Sequence, residues 1–141
     1  MIWDIESASP LKILNAHTRS IRTISFNKIK QLLVSASIDG VIKVWDMASN
    51  ICIKSIETSS KRINEIAISP NGQLIACDNY NLIVIFDLNG NLYGTLNGHD
   101  DWIYSVTFSN NGELIATGSK DKTVKIWVVM HSNDQSCNEA L

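Results

Sequence analysis

Asp39-Gly40-Val41-Ile42-Lys43-Val44-Trp45-Asp46 returns further along the chain as Asp121-Lys122-Thr123-Val124-Lys125-Ile126-Trp127-Val128. Phe86-Asp87 stands midway, equally far from Trp45 and Trp127, and Trp3-Asp4 precedes Trp45-Asp46 by that same interval plus one position. The separation of His17 from His99 equals that of Trp45 from Trp127, two periods of about 41, within the range of known repeat modules. A fixed period decides the architecture before any propensity does, because a module of this size buries its apolar face only against its neighbours. Three units fill residues 5–46, 47–87 and 88–128, within a repeat domain of 1–130.

The same punctuation recurs inside each unit. Apolar runs of four to seven residues, rich in Ile, Val and Thr, are broken by turns about every ten residues, the rhythm of antiparallel meanders and not of helices. The first turn carries Asn71-Gly72 and Asn111-Gly112 and the second Asp39-Gly40, pairs that accept positive φ and suit tight hairpins. The expected strands are an outer one (11–15, 51–57, 91–96), an inner one (21–26, 63–68, 103–108), then 32–36 and 41–46 with their equivalents, four per unit. Pro10 and Pro70 fall at turn or strand-start positions, where a missing N–H does little harm.

Composition narrows the function. The chain has 141 residues, 12 Lys+Arg against 14 Asp+Glu and a net charge of −2. Nothing in that balance makes a basic footprint for a phosphate backbone, so nucleic acid is not expected as the main partner. The longest apolar runs, 82–86 and 126–130, are five residues each, far short of the roughly 18 a spanning helix needs; no membrane segment is expected. The first six residues lack a basic region and an apolar stretch and do not read as a secretory signal. An intracellular protein is the expectation, cytoplasmic first, with the nucleus as the alternative. Cys52, Cys77 and Cys137 form an odd set at spacings of 25 and 60 and read as reduced thiols, the first two filling the core. A metal site joining His131 to Cys137 would need two more ligands that do not stand nearby, so neither metal nor cofactor is expected.

With these residues quoted, the chain resembles the WD-repeat, or beta-transducin repeat, family of β-propellers. Ala16-His17 and Gly98-His99 stand for the family's Gly-His, and Trp3-Asp4 and Trp45-Asp46 for its Trp-Asp. The resemblance implies an all-β fold, a partial propeller of three blades of four-stranded antiparallel sheet plus an N-terminal strand stub, the last blade ending at three strands. It also implies a structural tetrad of His17, Ser35, Asp39 and Trp45 in the first repeat and His99, Thr117, Asp121 and Trp127 in the third. Asp accepts from one imidazole nitrogen, the other nitrogen meets the hydroxyl, and the hydroxyl accepts from the indole N–H, so each buried polar group finds a partner. Ser37 and Ser119 share a strand face with Ser35 and Thr117, which leaves the choice of hydroxyl open by two residues.

The same residue types would suit a Ser/His/Asp hydrolase, but that chemistry calls for one exposed nucleophile and an oxyanion hole. Here the set recurs at a fixed period with a Trp on the hydroxyl, so no catalytic residue is expected. In the middle repeat the corresponding residues read as Ser59, Ala76, Tyr80 and Phe86, and the relay is lost as a whole. That blade is expected to be the softest, held by aromatic packing of Tyr80 and Phe86.

Propellers close with about four to eight blades. Three blades therefore imply either a segment of a longer protein or a homodimer completing a six-blade ring, with 11–15 of one chain capping 123–129 of the other. The expected function is a protein-interaction scaffold without catalysis of its own, binding proteins or peptides through top-face loops. The alternative is a regulatory or substrate-recognition propeller of a larger signalling, autophagy, vesicle-coat or ubiquitin-ligase protein. The family places Ser20, Arg22, Ile38, Arg62, Asn64, Asn79, Trp102, Tyr104 and Lys120 at that face. Arg22, Ile38, Arg62, Asn64, Trp102, Tyr104 and Lys120 are the binding candidates, with packing of Trp102 on the neighbouring blade as the other reading of that side chain. Residues 131–141 read as a disordered tail.

Overall fold

The computed structural model describes residues 2–60 and 62–129. The expected tail, and with it His131 and Cys137, lies outside them. Thirteen strands and no helix make up the described residues: β1 (Ile2–Asp4), β2 (Ser9–Lys12), β3 (Ile21–Asn27), β4 (Leu32–Ser37), β5 (Val41–Asp46), β6 (Ile51–Glu57), β7 (Ile66–Ile68), β8 (Leu74–Asn79), β9 (Leu82–Asp87), β10 (Leu92–Asn97), β11 (Ile103–Phe108), β12 (Leu114–Ser119) and β13 (Val124–Val128).

They form antiparallel meanders, β3-β4-β5-β6, β7-β8-β9-β10 and β11-β12-β13, with β1-β2 as a separate pair. The all-β, blade-by-blade reading holds. The third sheet has three strands among the described residues, and the stub is a two-stranded ribbon, since the outer strand expected at 11–15 lies at Ser9–Lys12 and pairs with β1. Gly40, Gly72 and Gly112 carry φ of 79°, 65° and 76°, as the turn pairs require.

Alternation along each strand divides the interior into two layers. Val34, Ala36, Ile42 and Val44 of the first blade meet Ile66, Ile75, Cys77 and Phe86 of the second. Ala76, Ile83 and Ile85 on the second blade's other face meet Ile103, Val106, Ile115 and Trp127 of the third. The middle sheet thus buries a neighbour on either face, the arrangement a two-residue side-chain period permits. Polar links cross the first junction: Thr23 Oγ1 donates to Glu65 Oε1 at 2.7 Å, Ile68 N to Ser25 Oγ at 3.2 Å, and Asn27 Nδ2 to the carbonyls of Ser69 and Pro70 at 2.7 and 2.9 Å.

One inner strand is only half its expected length. β7 begins at Ile66 instead of residue 63, because Asn64 and Glu65 turn their N–H groups to the carboxylate of Asp78.

Candidate functional site

In the third blade the four polar side chains form a continuous relay. His99 Nδ1 lies 2.6 Å from Asp121 Oδ2, His99 Nε2 lies 2.7 Å from Thr117 Oγ1, and Trp127 Nε1 donates to the same hydroxyl at 3.0 Å. Asp121 also accepts from Asp100 N, Thr123 N and Thr123 Oγ1. Loop, hairpin and two strands are tied at one buried point. In the first blade, His17 Nε2 meets Ser35 Oγ at 2.9 Å and Trp45 Nε1 donates to it at 3.0 Å. There, however, His17 Nδ1 stands 3.4 Å from Asp39 Oδ2 and makes no hydrogen bond, while Asp39 accepts from Thr18 N and Thr18 Oγ1 instead. Ser37 and Ser119, the alternative hydroxyls, accept from Asp39 N and Asp121 N and brace the turns.

The chemistry open to these groups follows from their access. Ser35 and Thr117 are 3% and 2% exposed, and each hydroxyl is shared between an imidazole and an indole N–H. A substrate carbonyl has no line of approach to either oxygen, and nucleophilic attack needs one.

Acid should weaken the first blade through its imidazole. Burial holds the His17 imidazole below its ordinary value, against the pull of Asp39. Desolvation opposes ionisation of Asp39 and Asp121, but the hydrogen bonds they accept outweigh it and hold both carboxyls below the usual range. A depressed value in the folded state means that stability is present above the unfolded value and is lost as pH falls through the folded one. The first blade should therefore begin to weaken as pH drops below 6.5, and the Asp39 and Asp121 contributions should go only below 3.8. Following the Trp45 indole resonance through an acid titration checks this: it should begin to change as pH drops below 6.5, and a resonance unchanged down to 3.8 would contradict it.

The middle blade corrects the alignment. Ile75 pairs with Phe86 as Leu33 does with Trp45 and Ile115 with Trp127, so the position two residues on, the hydroxyl's place, belongs to Cys77 and not to Ala76. The hairpin is one residue shorter, closing as Asn79↔Leu82 with Tyr80 at a φ of 63°. Tyr80 is therefore an exposed turn residue and not part of the aromatic filling expected there. A different polar knot stands in place of the relay. The fully buried Asp78 accepts from Asn64 N at 2.7 Å, Glu65 N at 2.8 Å and Asn64 Nδ2 at 2.9 Å. Burial nonetheless pushes its carboxyl above the ordinary value. Asn64 Oδ1 in turn accepts from Arg62 Nε at 2.8 Å, so the knot reaches the surface.

Sequence reasoning missed Asp78, whose partners lie 13 and 14 residues upstream. It missed the shortened hairpin too, although one signal was legible: Asn71 stands one position closer to Phe86 than Asn111 does to Trp127.

The rim candidates fall into groups. Trp102 packs edge-on against Tyr80 of the middle blade, ring centroids 4.8 Å apart at 76°, and is only half-buried. Lys120 N donates to Trp102 O at 2.8 Å, and Lys120 Nζ pairs with Asp101 Oδ2 at 3.2 Å, which raises the Lys120 pKa. Tyr104 is exposed and close enough to Lys120 to act on its charge. Trp102, Tyr104 and Lys120 are thus brought together with Tyr80 and Asp101, while Arg62 and Asn64 form the second group. Ile38 N donates to Ser20 O at 3.2 Å on the first blade, and Arg22 is exposed on the same sheet. Among the described residues no group of three or more His, Cys, Asp and Glu is placed to hold a metal ion.

Comparison with known proteins agrees with this geometry. The model of the WD domain, G-beta repeat, matches residues 8–46, 50–87 and 90–128, each span running from an outer strand to the end of the aromatic-bearing strand. The chain is 31% identical to the target of rapamycin complex subunit wat1 of Schizosaccharomyces pombe, over 68% of this chain and 32% of that protein. It is 30% identical to the transcriptional corepressor LEUNIG_HOMOLOG of Arabidopsis thaliana (89% and 16%) and 25% identical to the nuclear distribution protein nudF of Aspergillus niger (89% and 34%). The chain spans about a third or less of the length of these curated relatives. With three matched repeats covering most of its residues, the chain belongs to the WD domain, G-beta repeat family.

Proposed function

We infer that the chain serves as part of a protein-interaction scaffold of the WD-repeat type, without catalysis of its own, and that partner proteins or peptides engage the loops around Trp102. WD-repeat proteins are in general interaction scaffolds, and relatives bear names of complex subunits. The observation that carries the reading is a division of labour. The His, Asp and hydroxyl groups are engaged in internal bonds, whereas Tyr80, Trp102, Tyr104, Lys120 and Asp101 stand together at the surface. Trp, Tyr and cationic side chains dominate interface energetics when a partner desolvates them. The edge-on contact with Tyr80 presets the Trp102 ring, which lowers the ordering cost of binding.

The immobilised chain and its Trp102→Ala/Lys120→Ala double variant, offered the same cell extract, test the assignment. Proteins retained by the first should be lost from the second while the far-ultraviolet circular dichroism spectra stay superimposable. An identical retained set would remove Trp102 and Lys120 from the binding surface.

A further inference from the structure

Equivalent positions have opposite fates at the two ends of the array. On the inner side, Ile63 just before β7 and Ile66 within it are 0% and 2% exposed, and Ile103 and Val106 of the third blade 0% and 5%, all covered by the preceding blade. Their counterparts in the first blade, Ile21 and Ile24, are 48% and 63% exposed, and Phe26 is 52% exposed. On the opposite face, Ile42 and Val44 of the first blade are fully buried, and Ile83 and Ile85 of the second nearly so. Their counterparts in β13, Val124 and Ile126, are 75% and 43% exposed. The described residues thus leave bare the two halves of a junction that the chain already builds twice within itself.

Hydrogen-bonding capacity follows the same pattern. Thr23 and Ser25 of β3 bond to the second blade, and their counterparts on β11, Ser105 and Thr107, are exposed on the bare side. Among the described residues β13 pairs only with β12, which leaves its outer edge without a described partner strand, whereas β2 is an outer strand paired with β1. β1 carries Trp3-Asp4, the repeat equivalent of Trp127-Val128 in β13, on a three-residue ladder with a register shift. A short irregular ladder yields readily to a longer, regular one.

The geometry points to head-to-tail association with a second copy of this chain. β13 of one copy takes the place of β1 beside β2 of the other, and its bare face, with Val124 and Ile126, covers Ile21, Ile24 and Phe26. Each β2 then becomes the fourth strand of the other copy's last blade. Two copies, joined at two such junctions, close a ring of six blades, within the range that propellers adopt. Exchange of an identical element between protomers is a low-cost route to dimers, and it removes the free edge that would otherwise template open-ended association. The second copy is favoured as occupant because its two bare halves match position by position the junctions already formed within one chain.

Light scattering coupled to size exclusion tests this on the full chain and on two variants, Phe26→Glu and Ile126→Glu. The full chain should run at twice its 15.7 kDa mass. Either variant alone should run at the single-chain mass, because each spoils both junctions. An equimolar mixture of the two should regain the two-copy species, weaker than the parent, because one junction is then made of two intact halves. Circular dichroism monitors folding, and Ile24→Lys with Val124→Lys replaces either variant that fails to fold. A single-chain mass for the parent at every concentration, a ladder extending beyond two copies, two-copy variants, or a mixture that stays at the single-chain mass would each overturn the proposal.

Discussion

Asp78→Ala should destabilise the chain by about 2–4 kcal/mol, while Asp78→Asn should cost about half as much or less. The alanine variant removes the acceptor from two backbone N–H groups, those of Asn64 and Glu65, and from the Asn64 amide, which converge from half-buried residues on a carboxylate without solvent access. Each stranded buried donor costs roughly 1–3 kcal/mol, reduced where a water molecule enters the vacated space. Asparagine retains one oxygen for the two backbone donors and carries no charge to desolvate, which matters because burial already disfavours ionisation of Asp78. Urea denaturation of the three proteins gives the ordering, and equal midpoints for alanine and parent would show that the knot contributes nothing. The middle blade, expected from sequence to be the softest, is thereby assigned a fastening of its own.

Trp127→Ala should cost about 3–5 kcal/mol, the range for a large aromatic cut out of a core. Trp127 is 2% exposed and sits in the layer between the second and third blades with Ile83, Ile103 and Ile115. Trp127→Phe should cost less, because much of the ring volume remains. Thr117→Val tests the polar part, since it strands the indole N–H and leaves His99 Nε2 without its hydroxyl. The combined Thr117→Val/Trp127→Phe protein should be more stable than the sum of the single losses predicts, by about 1 kcal/mol, because phenylalanine has no donor to strand. Strict additivity in that cycle would remove the indole hydrogen bond from the account.

Much of this was legible in the sequence for definite reasons. The Asn-Gly and Asp-Gly pairs fix hairpins locally, and alternating Ile, Val and Leu between them fix strand faces, so the meanders follow from short-range signals. The relay in the first and third blades follows from residue types at a repeated offset. The Asp78 knot does not, because its donors are mostly backbone N–H groups in the loop before β7, which no residue pattern marks. The loosened His17–Asp39 contact is equally hidden, since the first and third repeats carry the same His and Asp and differ only by tenths of an ångström in placement. Nor does any side-chain type distinguish Ile21 from Ile63 or Ile103: identical residues are buried or bare according to which blade stands beside them.

Protection of the indole N–H groups against hydrogen exchange reads the interior relay most directly. Trp45 and Trp127, each donating to a buried hydroxyl, should exchange orders of magnitude more slowly than an indole in an unstructured peptide, and Thr117→Val should accelerate Trp127 alone. Rapid exchange of both in the parent, with Ser35 or Thr117 open to a hydroxyl-directed acylating reagent, would contradict the structural role of these residues and reopen a catalytic one.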